Sequence, residues 1–570
     1  MTTGATPTAL PADSRLSAWL SYAVLLVGIG AGVASAYMVI STYSALPHWD
    51  EWALFDRLAT GQGWSLPWLW AQHNEHRILV PKLFFLADVD LFRGTQVFLL
   101  ASIFLIQLLQ VALLSFSLRT LGAMRGAAWR TGTGLIAYCI LCPTQYENLL
   151  WGFQLQFVIP AAMATLALLA LLLYCREARV GLLVLSIAAA TIATWSLANG
   201  MLLWPLLLLA ALLLRMGRSV LLTIVASGTA NIGLYLFHYR RPSPETELAP
   251  VFDALAKILQ YIAVYFGSTF VRHSSGWIAV VLGVAGLCTA AAIIFRVLPQ
   301  RGRDSLLLLQ LSLLMLLCIA TAAITASGRL HLGLEQATAS RYQTFALLFW
   351  CSLGLSILFY TQKRPLRLNI LAGSLLVLTL GFATQVRLPL MDAQQHQLRL
   401  KLVSLALLTG VHDPAVLADA YPDPRPVLRA MQYMQANHLS IFAGDLYRQL
   451  GQPLDATYRL GAPGDCSGSV SLTEVMHMDG GSGLRLTGFA WDNRRNRPAR
   501  DIIAVTNDRI TGFGANVSIP LNASAARPNS DPARFGWLAF VRDVPPGKVK
   551  LYAVVGARSR EVCPFAEVSP

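Results

Sequence analysis

The sequence is dominated by apolar runs long enough to cross a lipid bilayer as helices. These runs of roughly 18 to 22 residues match the length that a helix needs to cross about 30 Å of hydrocarbon, and the alternating pattern of a membrane β-barrel is absent from the sequence. Apolar residues make up 55% of the 570 residues and charged residues only 13%, a composition that excludes a soluble domain. The chain is therefore predicted to be an integral membrane protein built as an all-α bundle. A window of about 19 residues places about eleven spans, at 18–40, 96–116, 131–143, 156–174, 180–197, 200–214, 219–237, 277–295, 305–325, 344–360 and 368–385.

The loops between these spans alternate in charge. Every second loop is short and basic, which by the positive-inside rule predicts a cytoplasmic position. These basic loops are 117–130, 175–180, 215–219, 296–304 and 361–367. The N-terminal tail, 1–17, is then cytoplasmic and the first span is a retained signal-anchor. The net charge of +14 is dispersed over these loops, which argues against a nucleic-acid partner.

The region after the last span changes character twice. The transmembrane domain is predicted over 18–388, followed by a helical linker over 389–460 and a β-sandwich or jelly-roll domain over 461–570. The evidence for strands is short alternating segments such as GLRLTGFAW and KVKLYAVVG, separated by turn residues. Cys466 and Cys563 flank this domain and are predicted to form a disulfide, which requires an oxidising compartment such as the bacterial periplasm.

The long first outer loop, 41–95, concentrates ionisable residues directly after the first span. Its segment HWDEW carries the adjacent acids Asp50 and Glu51, preceded by His48. A carboxylate held by hydrogen-bond donors near low-dielectric walls can strip a proton from a sugar hydroxyl, so both acids are candidate catalytic residues and His48 a candidate substrate ligand. The alternative is that the acids are solvated and the loop's tryptophans form an interfacial aromatic belt.

The second half of that loop, QHNEHR, adds four candidate substrate-binding residues. They are His73, Glu75, His76 and Arg77. Hydrogen bonding to a sugar or to a phosphate is the favoured interpretation, because arginine offers a bidentate fork for phosphate oxygens. Zinc held by the two histidines is the alternative, but the HExxH spacing is missing and no third ligand is evident, so no metal site is predicted.

The next outer loop, 144–155, has the sequence CPTQYENLLWGFQ around it. Gln145, Glu147 and Gln154 are candidate substrate ligands at the ends of two spans. The alternative is that these polar side chains only satisfy backbone groups at helix ends.

The outer loop 326–343 carries two arginines against the charge bias of its side of the membrane. Arg329 and Arg341 suggest anion binding, and a lipid-linked phosphate is the anion expected at that depth. His331 and Tyr342 join them as candidate substrate ligands. The alternative is an ion pair from either arginine to Glu335.

The whole layout resembles the GT-C superfamily of glycosyltransferases that use polyprenyl-phosphate sugars, such as protein mannosyltransferases and aminoarabinose transferases. The similarity lies in the number of spans, the long first outer loop opening on WDE, and the C-terminal β domain. It covers the topology of the first 385 residues. By that resemblance Asp50 corresponds to the first-loop acid and Glu147 to a further acid on the second outer loop, whereas HNEHR has no counterpart there.

The resemblance implies an inverting sugar transfer from a polyprenyl-phosphate donor to a cell-envelope glycan, lipid or protein at the periplasmic face of the bacterial inner membrane. Asp50 would act as general base while Arg77, Arg329 and Arg341 stabilise the departing polyprenyl phosphate. No cofactor is required, and a divalent cation is compatible with the chemistry. The expected partners are the donor, the acceptor and membrane lipids. The alternatives are an O-antigen polymerase or ligase, and a transporter or flippase of lipid-linked sugars.

Overall fold

A computed structural model describes most of the chain as helices followed by a β-sheet. It describes residues 12–240, 251–271, 276–300, 305–361, 367–462, 464–478, 481–517, 536–542, 548–555 and 560–569. Part of the predicted cytoplasmic tail and four of the loop cations used to orient the chain, Arg301, Arg303, Lys363 and Arg364, lie outside these residues.

Twenty α-helices are described. They are α1 (Ala12–Ser41), α2 (Asp50–Ala59), α3 (Leu66–Trp70), α4 (Leu79–Phe92), α5 (Val97–Thr120), α6 (Gly126–Ile140), α7 (Tyr146–Leu150), α8 (Leu155–Glu177), α9 (Val180–Thr194), α10 (Leu203–Leu213), α11 (Arg218–Leu236), α12 (Val251–Gly267), α13 (Trp277–Val297), α14 (Leu306–Arg329), α15 (Gln343–Thr361), α16 (Arg367–Thr409), α17 (Pro414–Leu417), α18 (Pro424–Ala436), α19 (Asp445–Gln449) and α20 (Leu454–Thr457). Short 3₁₀ turns connect several of them, at Pro143–Gln145, Gly152–Gln154, Ala198–Leu202, Leu330–Leu332, Leu334–Thr338, Ser340–Tyr342 and Ser440–Ala443.

Eight segments of the described chain are helical, long and apolar enough to cross a membrane. They are Arg15–Ser41, Val97–Thr120, Gly152–Glu177, Arg218–Leu236, Trp277–Val297, Leu306–Leu332, Ser340–Thr361 and Gly373–Thr409. The predicted multi-pass membrane bundle is confirmed at this level. The other three of the eleven predicted spans correspond to the shorter helices α6, α9 and α10, of 15, 15 and 11 residues.

The last predicted span, 368–385, differs most from the structure. This span was predicted to end before a separate linker, but α16 runs unbroken for 43 residues to Thr409, with Pro389 inside it. An amphipathic continuation after an apolar segment keeps helical periodicity, so the apolar window ends before the helix does.

Contacts divide the chain into two compact units. The first contains the described residues up to Ser41, Leu66–Phe85 and Leu99–Met391. The second contains Thr42–Ser65, Leu86–Phe98 and the described residues from Asp392 onward. Two parts of the predicted first outer loop thus group with the C-terminal region, and the QHNEHR segment groups with the helical bundle.

Small residues let helices of the first unit pack closely. A Cβ atom at Gly28 of α1 would lie 2.3 Å from the carbonyl oxygen of Gly134 in α6. A Cβ atom at Gly283 of α13 would lie 1.8 Å from the carbonyl oxygen of Ala263 in α12. Such backbone approach is typical of helices that associate in lipid, where association depends on close packing more than on the hydrophobic effect.

The second unit ends in a nine-stranded sheet. Its strands are β1 (Arg459–Leu460), β2 (Cys466–Met478), β3 (Gly481–Asp492), β4 (Arg497–Pro498), β5 (Asp501–Thr506), β6 (Arg509–Asn516), β7 (Gly536–Val541), β8 (Val549–Val555) and β9 (Glu561–Val568). They are ordered β1-β9-β8-β5-β6-β7-β3-β2, with β4 beside β3, and every pair is antiparallel except β1 with β9. The predicted C-terminal β region is confirmed.

The strands form one continuous sheet that curls over a shared core. The predicted disulfide is confirmed: it joins Cys466 on the edge strand β2 to Cys563 on β9, the second strand from the other edge, with Cα atoms 6.1 Å apart. Glycine permits the tight β6–β7 pairing that keeps the sheet continuous, because a Cβ at Gly512 would lie 2.2 Å from the Phe540 carbonyl oxygen.

Candidate functional site

The QHNEHR segment of the first unit forms a tight hairpin. The backbone N–H of His73 donates to the His76 carbonyl at 2.7 Å, and the N–H of His76 donates to the His73 carbonyl at 2.9 Å. Asn74 and Glu75 form the turn between them, with Asn74 at φ 48°, a conformation that asparagine tolerates better than most residues. The hairpin geometry explains why so many polar residues occur together, and it holds the Glu75 carboxylate at the tip.

Arg77 anchors the hairpin to the end of α11. Its side chain is buried, and its guanidinium donates to the carbonyls of Tyr235 at 2.7 Å, Phe237 at 2.6 Å and Trp70. Helix ends leave carbonyls without intrahelical partners, and a guanidinium can satisfy several at once. These bonds give Arg77 a structural role, and its predicted role as a phosphate ligand stays a prediction.

Glu75 pairs with Arg329, the last residue of α14. Arg329 Nη2 lies 3.0 Å from Glu75 Oε2, and the two side chains are 37% and 39% exposed. The alternative in which Arg329 binds Glu335 is therefore replaced by a pair between two distant segments of the chain. A ligand can displace one partner of a half-exposed pair of this kind, because solvent screening keeps the ion pair weak.

A second arginine–carboxylate pair lies between the loop after α6 and the segment before α15. The Arg341 backbone N–H donates to Glu147 Oε2 at 2.8 Å, and Arg341 Nη1 lies 4.0 Å from Glu147 Oε1. Ser340 donates its hydroxyl to the Thr144 carbonyl at 2.8 Å and accepts the Glu147 N–H at 3.2 Å. The two side chains of the pair are 31% and 28% exposed, so this site also remains open to a ligand.

Three segments of the first unit meet, and we call them the loop cluster. They are the hairpin 72–77, the segment 143–154 and the segment 329–342. The His73 ring lies 5.1 Å from the Phe153 ring, which joins the first two segments. Burial is the main cause that lowers the pKa of His76 to about 4, so this imidazole is neutral at pH 7. His76 therefore contributes no positive charge to an anion site.

The remaining predicted ligands of the first unit differ in exposure. Gln145 and Gln154 are each 1% exposed, and Gln145 is hydrogen-bonded by Gln107 and Thr344 at its Oε1 and donates to the Ile140 carbonyl. Tyr342 is 5% exposed and stacks on Tyr265 at 5.6 Å. His331 is exposed in the segment after α14. Gln145 fits the alternative of satisfying buried groups, whereas the buried Oε1 of Gln154 accepts no hydrogen bond from the described residues. The predicted ligand roles of both glutamines stay predictions.

His48, Asp50 and Glu51 belong to the second unit. Glu51 is 1% exposed, and its Oε2 accepts the His48 N–H at 2.9 Å and the Gln96 side-chain amide at 3.2 Å. Both acids occupy the first turn of α2, where the helix dipole stabilises negatively charged side chains. These bonds hold the Glu51 carboxylate in place, while Asp50, which is half-buried, is the acid of the pair that is more open to solvent.

His48 lies in a buried setting beside α16. Its ring centroid is 4.5 Å from that of His396. Burial, with smaller contributions from His396 and Arg399, lowers the pKa of His48 well below the usual range. Its imidazole is therefore neutral at pH 7, which suits hydrogen bonding but not the binding of an anion through charge.

Asp88 in α4 is a buried acid that was not predicted from the sequence. Its side chain is 1% exposed, and its Oδ2 accepts the Gln96 N–H at 3.0 Å. Burial raises the pKa of Asp88 to about 6, and backbone hydrogen bonds oppose the shift. Gln96 thus donates hydrogen bonds to both acids, from its backbone N–H to Asp88 and from its side-chain amide to Glu51. The only sequence signal was an acid within the apolar segment FLADVDLF.

Among the described residues, His, Cys, Asp and Glu side chains form no group of three or more that could hold a metal ion. The charged donors of the loop cluster are two arginines, Arg329 and Arg341, and guanidinium groups bind phosphate oxygens and not cations. No protein-family model, curated protein or solved structure matches this chain. The functional assignment therefore depends on the chemistry of the site itself.

Proposed function

We propose that the protein is a membrane-embedded glycosyltransferase that moves a sugar from a polyprenyl-phosphate donor to a cell-envelope glycan, lipid or protein acceptor. The observation that supports this most is the pair of half-exposed arginines, Arg329 and Arg341, that border one short segment. Each arginine lies beside a carboxylate from a different loop, at 3.0 Å for Glu75 and 4.0 Å for Glu147.

The position of the arginines favours a phosphate carried by a lipid. Arg329 is the last residue of α14 and Arg341 lies two residues before α15, so both are at the ends of candidate membrane spans. Arginine binds phosphate oxygens bidentately, and the anion met at the boundary of a bilayer is a lipid phosphate.

The carboxylate partners suggest how the site responds to the donor. A phosphate that binds Arg329 or Arg341 competes with Glu75 or Glu147 for the guanidinium. The arginines then stabilise the negative charge that develops on the leaving polyprenyl phosphate. The bond from the anomeric carbon to the phosphate oxygen breaks, a bond from that carbon to the acceptor oxygen forms, and a carboxylate accepts the acceptor's proton.

The proposal keeps the GT-C-like layout and the orientation expected from the sequence. The basic residues Arg119, Arg125, Arg176 and Arg218 favour a cytoplasmic position for their loops, by the positive-inside rule. The loop cluster and the disulfide-bearing β region would then face the periplasm of a bacterial inner membrane, where a disulfide persists.

A transporter of lipid-linked sugars is the second candidate. It is favoured by polar side chains that lie buried inside candidate spans: Gln107, Gln110 and Gln310 are 0 to 1% exposed. Gln110 and Gln310 reach Thr165, at 3.5 Å to its hydroxyl and 3.3 Å to its carbonyl. Polar residues inside a membrane often mark substrate pathways, although they also join helices.

The test is a transfer assay with the full chain purified in detergent. Radiolabelled polyprenyl-phosphate sugars are offered with a panel of cell-envelope acceptors, and polyprenyl-pyrophosphate sugars test the polymerase or ligase alternative. We expect Arg329→Gln and Arg341→Gln to lower turnover about 10²- to 10³-fold, the loss typical of removing one donor to a developing anion. Arg179→Gln is the matched control, because it disrupts an exposed pair with Glu177.

The base is tested in the same assay with Asp50→Asn and Glu51→Gln. If Asp50 is the base, Asp50→Asn loses activity with its thermal unfolding unchanged, whereas Glu51→Gln also loses stability. Normal turnover in both arginine variants would refute the anion site. Donor that crosses liposome membranes unreacted would favour the transporter.

A further inference from the structure

A pocket lies between the hairpin and the segment that follows α11. It has a volume of about 450 Å³ and is lined by Trp70, Gln72, Asn74, Arg77, His238 and Arg240, with Ala71. None of its lining residues except Arg77 is a predicted ligand, and the arginines of the two carboxylate pairs do not line it. Its volume is in the range of small-molecule sites.

The pocket is preformed by hydrogen bonds between side chains and the backbone. The Gln72 amide donates to the Arg240 carbonyl at 2.7 Å, and the Arg240 N–H donates to Gln72 Oε1 at 3.1 Å. The Tyr239 hydroxyl donates to the Glu75 carbonyl at 3.1 Å. These bonds hold the segment 238–240 against the hairpin, so little backbone ordering is needed when a ligand binds.

The charge of the lining favours an anion. Arg77, His238 and Arg240 line this pocket, and the described residues that line it include no carboxylate. Arg77 is buried and committed to three carbonyls, whereas Arg240 is exposed. Arg240 is therefore the cation more open to an incoming ligand.

The surroundings of the pocket favour an anion that carries an apolar chain. Candidate span α11 ends at Leu236, and His238 and Arg240 follow within four residues. Leu234, Leu236 and Phe237 at this end are 53%, 50% and 60% exposed. An apolar helix end followed within four residues by an exposed arginine matches the boundary between acyl chains and headgroups.

We propose that this pocket binds the phosphate headgroup of a membrane lipid, with Arg240 as the principal charged contact and the exposed end of α11 against the lipid chain. The phosphate can belong to a phospholipid or to a polyprenyl phosphate, since both present the same headgroup chemistry. The proposal does not depend on sugar transfer, because binding alone is its claim.

The test counts lipids bound to the delipidated full chain by native mass spectrometry. The titrations are made in the Arg329→Gln/Arg341→Gln background, so that the loop cluster does not contribute. The probes are phosphatidylglycerol, polyprenyl monophosphate and the uncharged polyprenol, with inorganic phosphate as competitor. The variants are Arg240→Gln and, as matched control, Arg218→Gln, an exposed arginine at the other end of the same helix.

We expect the phosphate lipids to bind at least tenfold more tightly than polyprenol. Arg240→Gln should weaken binding about tenfold, and Arg218→Gln should leave it within twofold. Binding of both phosphate lipids would indicate membrane lipids in general, and binding of polyprenyl monophosphate alone would indicate the donor class; either supports the proposal. It is overturned if polyprenol binds equally, if Arg240→Gln binds like the parent, if Arg218→Gln weakens binding as much, or if only inorganic phosphate binds.

Discussion

Replacing Asp88 by asparagine should stabilise the protein at neutral pH and not at acid pH. Asp88 is 1% exposed, and burial raises its pKa from 3.8 to about 6. Asparagine keeps an oxygen that can accept the Gln96 N–H, now 3.0 Å from Asp88 Oδ2, and it removes the charge. Asp88→Asn therefore imitates the protonated form that the folded protein prefers.

The sign and size of the expected stability change follow from the linkage between proton binding and folding. Between pH 3.8 and about 6 the folded state holds a proton that the unfolded state has released, so the free energy of unfolding falls as pH rises. Each pKa unit corresponds to about 1.4 kcal/mol, which gives up to about 3 kcal/mol between pH 4 and pH 7. The asparagine variant does not lose this free energy of unfolding. The difference in stability between variant and wild type should therefore grow between pH 3.8 and about 6 and level off above that range.

The assay is thermal unfolding of both proteins in the same detergent, followed by tryptophan fluorescence at pH 4.5 and pH 7.5. The difference between variant and wild type cancels the other groups that titrate in this range. Asp90→Asn is the matched control, since Asp90 is exposed on the same helix. An equal difference in melting temperature at both pH values would show that the pKa of Asp88 is not raised in the folded protein and would refute the reasoning.

Two further stability predictions use the same melting experiment. Arg77→Lys should lower stability by roughly 3 kcal/mol, because an ammonium cannot replace a guanidinium that donates to three carbonyls; an unchanged melting temperature would contradict the anchoring role. Breaking the disulfide in Cys466→Ser or Cys563→Ser should cost about 4 to 5 kcal/mol, since the bridge closes a loop of 97 residues. Reductant should lower the melting temperature of the wild type to that of the serine variants and leave the variants themselves unaffected.

The sequence predicted the apolar spans well because hydrophobic length alone determines them. Helices such as α5 and α13 lie within a few residues of the predicted bounds. The predicted spans 131–143, 180–197 and 200–214 correspond to the short helices α6, α9 and α10, whose ends differ from the predicted bounds by up to five residues. The grouping of Thr42–Ser65 with the C-terminal region could not be predicted, since it depends on long-range pairs such as Asp56 with Arg429, at 2.8 Å.

The candidate site was predicted by residue type more successfully than by role. The sequence indicated Arg329 and Arg341 through their exception to the charge bias, and the structure pairs them with Glu75 and Glu147. It gave no means of distinguishing these exposed pairs from Arg77, whose side chain is buried against backbone carbonyls. Burial and partner choice depend on segments more than 150 residues apart, which local pattern does not encode.

Transfer of a sugar with inversion is tested most directly by the anomeric configuration of the product. Wild-type protein is incubated with a polyprenyl-phosphate sugar of defined configuration and its acceptor, and the new glycosidic bond is examined by NMR. The proposed mechanism predicts a product of inverted configuration and one equivalent of released polyprenyl phosphate. A product of retained configuration, or a donor that is left intact with every acceptor, would contradict it.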